Sequence, residues 1–149
     1  MSRFLQFSGR PATTSIVNLF TQAGAATLAT GSPPSAIATA VTTTTGGTLV
    51  SALSVTGAGD LTMLVVRTAN ATAKTLRVKV TIDGTVVCDV TSASTSTSGN
   101  GLIILGDISS AIVDAGVPAR FNSSLLVEVC GSVSSDTNGI NVYHKRIMN

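Results

Sequence analysis

The chain has no tryptophan, one tyrosine, one histidine and two cysteines in 149 residues. Aromatics make up 3% and charged residues 11%, where ordinary soluble domains carry about 25% charge. Each shortage excludes something. Phe4, Phe7, Phe20, Phe121 and Tyr143 are the whole aromatic inventory, so the core must be built from Val, Ile, Leu and Ala. Single-strand nucleic-acid binding by base stacking is disfavoured for the same reason. The formal net charge of +2, spread over dispersed Lys and Arg, is too small to argue for a nucleic-acid partner.

His144 stands beside Lys145 and Arg146, and neighbouring cations oppose metal binding. With Cys88 and Cys130 it makes no spaced zinc set. We read it as a surface or interface histidine and expect no metal or cofactor. No run of about 18 apolar residues exists to cross a membrane. Met1 to Arg10 lacks the basic start and apolar run of a secretory signal. The expectation is a chain made in a cytoplasm, with no membrane partner and with both thiols reduced and buried. A Cys88–Cys130 bridge would require their strands to be neighbours, which spacing does not show.

What is present is β structure. Leu76, Val78, Val80 and Ile82 alternate with Arg77, Lys79 and Thr81, then Asp83-Gly84 intervenes, then Val86, Cys88 and Val90 recur at period two. That pattern predicts an antiparallel hairpin with one buried face, on which Cys88 sits with Val86 and Val90. Further strands are expected over residues 48–56, 61–68, 102–105, 124–133 and 140–148. The run Leu61 to Val66 reads as a strand covered on both sides. Residues 92–101 read as an exposed polar loop, and Asn138-Gly139 as a turn. Asp107 to Val117 carries cap and stop signals for one short helix.

Residues 1–47 are read as an arm followed by an extended Ala/Thr/Gly/Pro-rich region, broken at Pro33-Pro34. Residues 48–149 are read as an antiparallel β-sandwich or jelly roll.

Catalytic constellations are not apparent. Asp60, Asp83, Asp107 and Asp136 all stand at turns or caps, where a structural role suffices. Glu128 is mid-strand and is read as half of a structural ion pair with Arg77, Lys79 or Arg120. Gly57-Ala58-Gly59 and Gly99-Asn100-Gly101 lack the lysine and following helix of a phosphate loop. The expectation is therefore a protein that is not an enzyme. Its weakly charged, Ser/Thr-rich surface offers little electrostatic opposition to self-association, so it reads as a subunit.

The arm Ser2-Arg3-Phe4-Leu5-Gln6-Phe7, the stretch Thr39 to Gly47 and the segment Met63 to Val90 together resemble small virion proteins of tailed bacteriophages, in style rather than through a diagnostic motif. The resemblance implies a β-sandwich in the virion, decorating or cementing a capsid or forming part of a neck, tail or fibre. Implied partners are further copies of the chain, as a trimer or ring, and other virion subunits such as a major capsid or tail protein. Arg3, Phe4, Phe7, Arg10, Pro33 and Pro34 are then the arm's anchors, while Asn100, Asp136 and Asn138 are contacts on an exposed end. Two rivals remain at this stage. A receptor- or glycan-binding fibre module would use Asn100, Asp136, Asn138 and Tyr143, and a depolymerase would need an acid–base pair that is not evident.

Overall fold

The computed structural model describes residues 27–28, 37–108, 112–113 and 115–149. Twelve strands follow one another along these residues: β1 (Thr27–Leu28), β2 (Ile37–Thr43), β3 (Val50–Thr56), β4 (Gly59–Thr68), β5 (Leu76–Ile82), β6 (Thr85–Thr91), β7 (Gly101–Leu105), β8 (Asp107–Ile108), β9 (Ile112–Val113), β10 (Ala119–Phe121), β11 (Ser124–Gly131) and β12 (Asp136–Met148). Among the described residues there is no helix. The first sheet has the order β1-β7-β4-β12-β2, and the second β3-β11-β5-β6. Every pairing is antiparallel. The two sheets face each other across one apolar cluster, and the architecture is the expected β-sandwich.

The hairpin signal is realised as β5–β6. Asp83 and Gly84 take φ of +50° and +81°, the left-handed pair that a two-residue turn between twisted strands demands. Leu76, Val78, Val80 and Ile82 lie wholly inside the core. The pairing slips between Val80 and Thr81, so that Val80 opposes Cys88 while Thr81 opposes Val86. The extra residue, Val87, turns inward beside Cys88 and leaves Val86 exposed. Val86 is thus not on the Cys88 face, because a bulge moves everything beyond it to the other side.

β4 is the spine of the first sheet. β12 runs along one edge of it, while β10 and β7 share the other, at Gly59–Leu61 and Leu64–Arg67 respectively. Met63 opposes Lys145 and Leu61 opposes Arg146, so Thr62 is an extra residue on β4. This bulge lets consecutive apolar residues serve both faces. Leu61, Leu64 and Val66 enter the main core, whereas Met63 and Val65 join Ile103 and the partly buried Tyr143 on the other face.

Two expectations are corrected. Residues 107–117 form no helix where described: Asp107 pairs with Val113 and Ile108 with Ile112 as a small two-stranded sheet. The β-branched Ile108, Ile112 and Val113 favour the extended chain over the helix that the cap signals suggested. The boundary at residue 47 does not separate arm from sandwich, because β2 pairs with β12 from Ile37 to Thr43. The loop of residues 92–101 is exposed at residues 93–94 and 96–98, as expected, and is tied down at the buried Ser92 and Thr95. The Ser92 hydroxyl accepts the Leu76 N–H at 2.9 Å, and Thr95 exchanges backbone hydrogen bonds with Lys74 at 3.0 and 2.9 Å.

Candidate functional site

Lys74 is the point at which one end of the sandwich converges. It precedes β5, its backbone bridges to Thr95, and its side chain runs inward past Gly131, where a Cβ would come within 3.3 Å of its Cδ. The side-chain exposures of Lys74 and Asp136 are 0% and 5%. Lys74 Nζ donates to Asp136 Oδ2, to Asn70 Oδ1 at 2.9 Å and to the Gly139 carbonyl at 3.0 Å. Asn70 Nδ2 in turn donates to Asp136 Oδ1 at 2.8 Å. All three ammonium hydrogens and both carboxylate oxygens are therefore engaged, which is what allows a buried charge pair to persist. Burial pushes the Asp136 carboxyl up, and the hydrogen bonds from Lys74 and Asn70 outweigh it, leaving the group below its ordinary range.

This places Asp136 differently from the exposed contact expected of it. It is buried because the register between β12 and β2 shifts between Asp136 and Ile140, turning its side chain under Gly139. A Cβ on Gly139 would overlap the Asp136 carboxyl group, so glycine there makes room for the network. Asn138 is exposed, its N–H bound by the Thr42 hydroxyl at 2.9 Å. Asn100 lies at the same end, where its carbonyl accepts the Thr68 N–H at 2.8 Å. The structure thus brings Asn100, Asp136 and Asn138 to one end of the fold. Arg3, Phe4, Phe7, Arg10, Pro33 and Pro34 lie outside the described residues.

The outer face of the second sheet carries the exposed charges in pairs. Arg77 holds Asp89 through two hydrogen bonds of 2.8 Å, and Lys79 Nζ stands 3.3 Å from Glu128. Glu128 is therefore half of an ion pair, and Lys79 is its partner. Arg120 goes instead to Asp60 at 3.0 Å, its direct neighbour across β10 and β4. A shallow pocket of about 180 Å³ beside Arg77 is lined by Gly47, Thr75, Thr91, Cys130 and Ser132. Cys88 and Cys130 are both free and buried. Cys88 belongs to the core, while Cys130 sits opposite Arg77 on the outer face. Burial pushes the Cys88 thiol up to about 11 and raises Cys130 as well, so neither is poised as a nucleophile.

His144, expected at the surface or an interface, is buried within the fold at 3% exposure, so the surface alternative is corrected. It shares its face with Ile140 and Val142, and that period-two relation was the available signal. Its Nδ1 has no hydrogen-bond partner. Burial, then the charge of Arg146, lowers its pKa, which keeps the ring neutral. Among the described residues no group of three His, Cys, Asp or Glu is placed to hold a metal ion.

The other end of the sandwich exposes two apolar side chains beside the Arg120–Asp60 ion pair. Ile147 and Met148 close β12 at 61% and 46% exposure, beside Asp60 and Gly59 of β4. On its opposite edge β12 pairs with β2 only as far as His144 and Ile37. Beyond that point, no described strand covers it. No family model, no curated protein and no solved structure matches the chain.

Proposed function

We propose that the chain is a non-enzymatic structural subunit of a virion, which stabilises a capsid or tail assembly by bridging neighbouring subunits. The observation that carries this reading is the end of β12, where Ile147 and Met148 are exposed and, past Ile37, no strand among the described residues pairs with the edge beside them. An open edge offers backbone donors and acceptors to a further strand, and the adjacent apolar side chains gain about 25 cal/mol for each Å² removed from water. Low surface charge leaves little repulsion between copies. Many modest contacts repeated around a shell lock an assembly, since binding to the folded state stabilises it.

Light scattering of the purified chain across a wide concentration range tests the assembly half of the reading. A closed trimer or ring is expected, weakened by Ile147→Lys. A monomer at every concentration would remove self-association from the proposal. The virion half is tested by lysing cells that express the chain in its native setting and sedimenting nuclease-resistant particles. The chain should travel with them, and its absence from every such particle would sink the virion role.

A further inference from the structure

The buried network at Lys74 has a chemistry that packing alone does not use. We propose that Lys74 Nζ and the Asp136 carboxyl condense to an amide, an isopeptide cross-link between the entry to β5 in one sheet and the start of β12 in the other. The inference is independent of the virion reading.

Nucleophile and acyl carbon are held together by groups that fix both. Nζ is gripped by Asp136 Oδ2, Asn70 Oδ1 and the Gly139 carbonyl, so the amine cannot swing away from the carboxyl carbon. Such fixed proximity is equivalent to an effective concentration of roughly 10⁵–10⁸ M in well-oriented systems. Asn70 Nδ2 points at Asp136 Oδ1 from 2.8 Å, the oxygen on which negative charge develops when Nζ adds to Cγ. A donor placed there stabilises the tetrahedral intermediate. With side-chain exposures of 0% and 5%, the pair is screened from the water that would hydrate its charges or hydrolyse the product.

The step balances without any co-reactant. A proton passes from the Nζ ammonium to Asp136 Oδ2 along the hydrogen bond already made, discharging both partners in a site where charge is costly. The freed Nζ lone pair then forms the bond to Cγ. The Cγ–Oδ2 bond breaks, and Oδ2 leaves as water with a second Nζ proton. The remaining N–H stays on acceptors already present, Asn70 Oδ1 and the Gly139 carbonyl. No group is oxidised or reduced.

The intact mass of the full chain, purified and denatured, is the test, and because the wild-type protein carries it no variant has to fold. The expected mass is lower by one water than the sequence requires. Trypsin should fail to cut after Lys74 and yield a branched peptide joining residues 68–77 to residues 121–145. Lys74→Arg and Asp136→Ala, which remove the amine and the acyl carbon respectively, should each restore the full mass. An unmodified wild-type mass overturns the proposal and leaves a non-covalent ion pair. Loss of ammonia in place of water also overturns it, placing the acyl donor at Asn70 or an imide at Asn138-Gly139. So does a water loss that maps to an imide at Asp83-Gly84.

Discussion

Asp83 and Ser123 are joined twice, since Asp83 Oδ1 accepts both the Ser123 backbone N–H at 2.7 Å and its hydroxyl at 3.0 Å. The same carboxylate takes the N–H groups of Asn122 and Ser124, each at 2.9 Å. The tip of the β5–β6 hairpin therefore clamps the turn between β10 and β11, with one ionised group satisfying three consecutive amides. Burial pushes the Asp83 carboxyl up, but the hydrogen bonds from Ser124, Asn122 and Ser123 prevail and hold it below its ordinary value of 3.8.

A depressed carboxylate stabilises the fold fully above its unfolded pKa, and that stability is lost as pH falls through the folded value. Asp83→Asn tolerates the left-handed backbone but offers a weaker, uncharged acceptor. It should cost about 1–3 kcal/mol at neutral pH and flatten the acid limb of stability. Urea midpoints measured from neutral pH down through the carboxylate range check both. An unchanged acid limb would show that the clamp is not what titrates.

His144 should act in the opposite part of the pH scale. Burial first, then Arg146, lowers its pKa from 6.5, so the unfolded chain takes up the proton more readily. Stability should then decline as pH falls below about 6.5 and level off once the folded ring is protonated too. His144→Phe removes the titration and the buried, unpartnered Nδ1. It should abolish this decline while costing less than about 1.5 kcal/mol at neutral pH, the range of tolerated core swaps. A decline of the same size in the variant would assign it to another group.

Much of this was legible because it is local. Alternation around Asp83-Gly84 located a hairpin, and the apolar run from Leu61 located a strand with two buried faces. The position of Glu128 within β11 foretold an ion pair, although three candidate partners stood open until the register chose Lys79. What escaped was set by distant partners. β2 hides in small residues, Ala38-Thr39-Ala40, whose pattern is weak until β12 pairs with it. Lys74 falls between the strands expected over 61–68 and from Leu76, and only tertiary folding brings Asp136, 62 positions away, to its amine. The bulge that exposes Val86 changes which side chains are inside without changing a single residue type.

The two thiols should be silent in the native protein. Cys88 is pushed up to about 11 by burial, with the Asp89 charge adding to the effect, and Cys130 is raised as well. At mildly alkaline pH both remain thiols, and the thiolate is the reactive form. Modification by a disulfide reagent should therefore follow unfolding, with two equivalents consumed in denaturant and almost none without it. Fast native labelling of Cys130, lost in Cys130→Ser, would show that the pocket beside Arg77 admits reagent and generates thiolate.

Gly101 provides the sharpest test of the first sheet. It opposes Arg67 where β7 meets β4, and a Cβ built on it would run into the Val66 carbonyl oxygen and approach Arg67 Cα to 2.7 Å. These atoms are all β4 backbone, which cannot yield as a flexible side chain would, so β7 must move away from β4. Leu102 and Ile104, buried in the core from β7, would be displaced with it. Gly101→Ala should cost about 3 kcal/mol or more, at the upper end of overpacking penalties. Gly116→Ala, where an added Cβ meets nothing within 4 Å, should lie within about 0.5 kcal/mol of wild type, as surface changes do. Equal denaturation midpoints for the two variants would mean that the close β7–β4 approach at Gly101 does not hold the sheet together in solution.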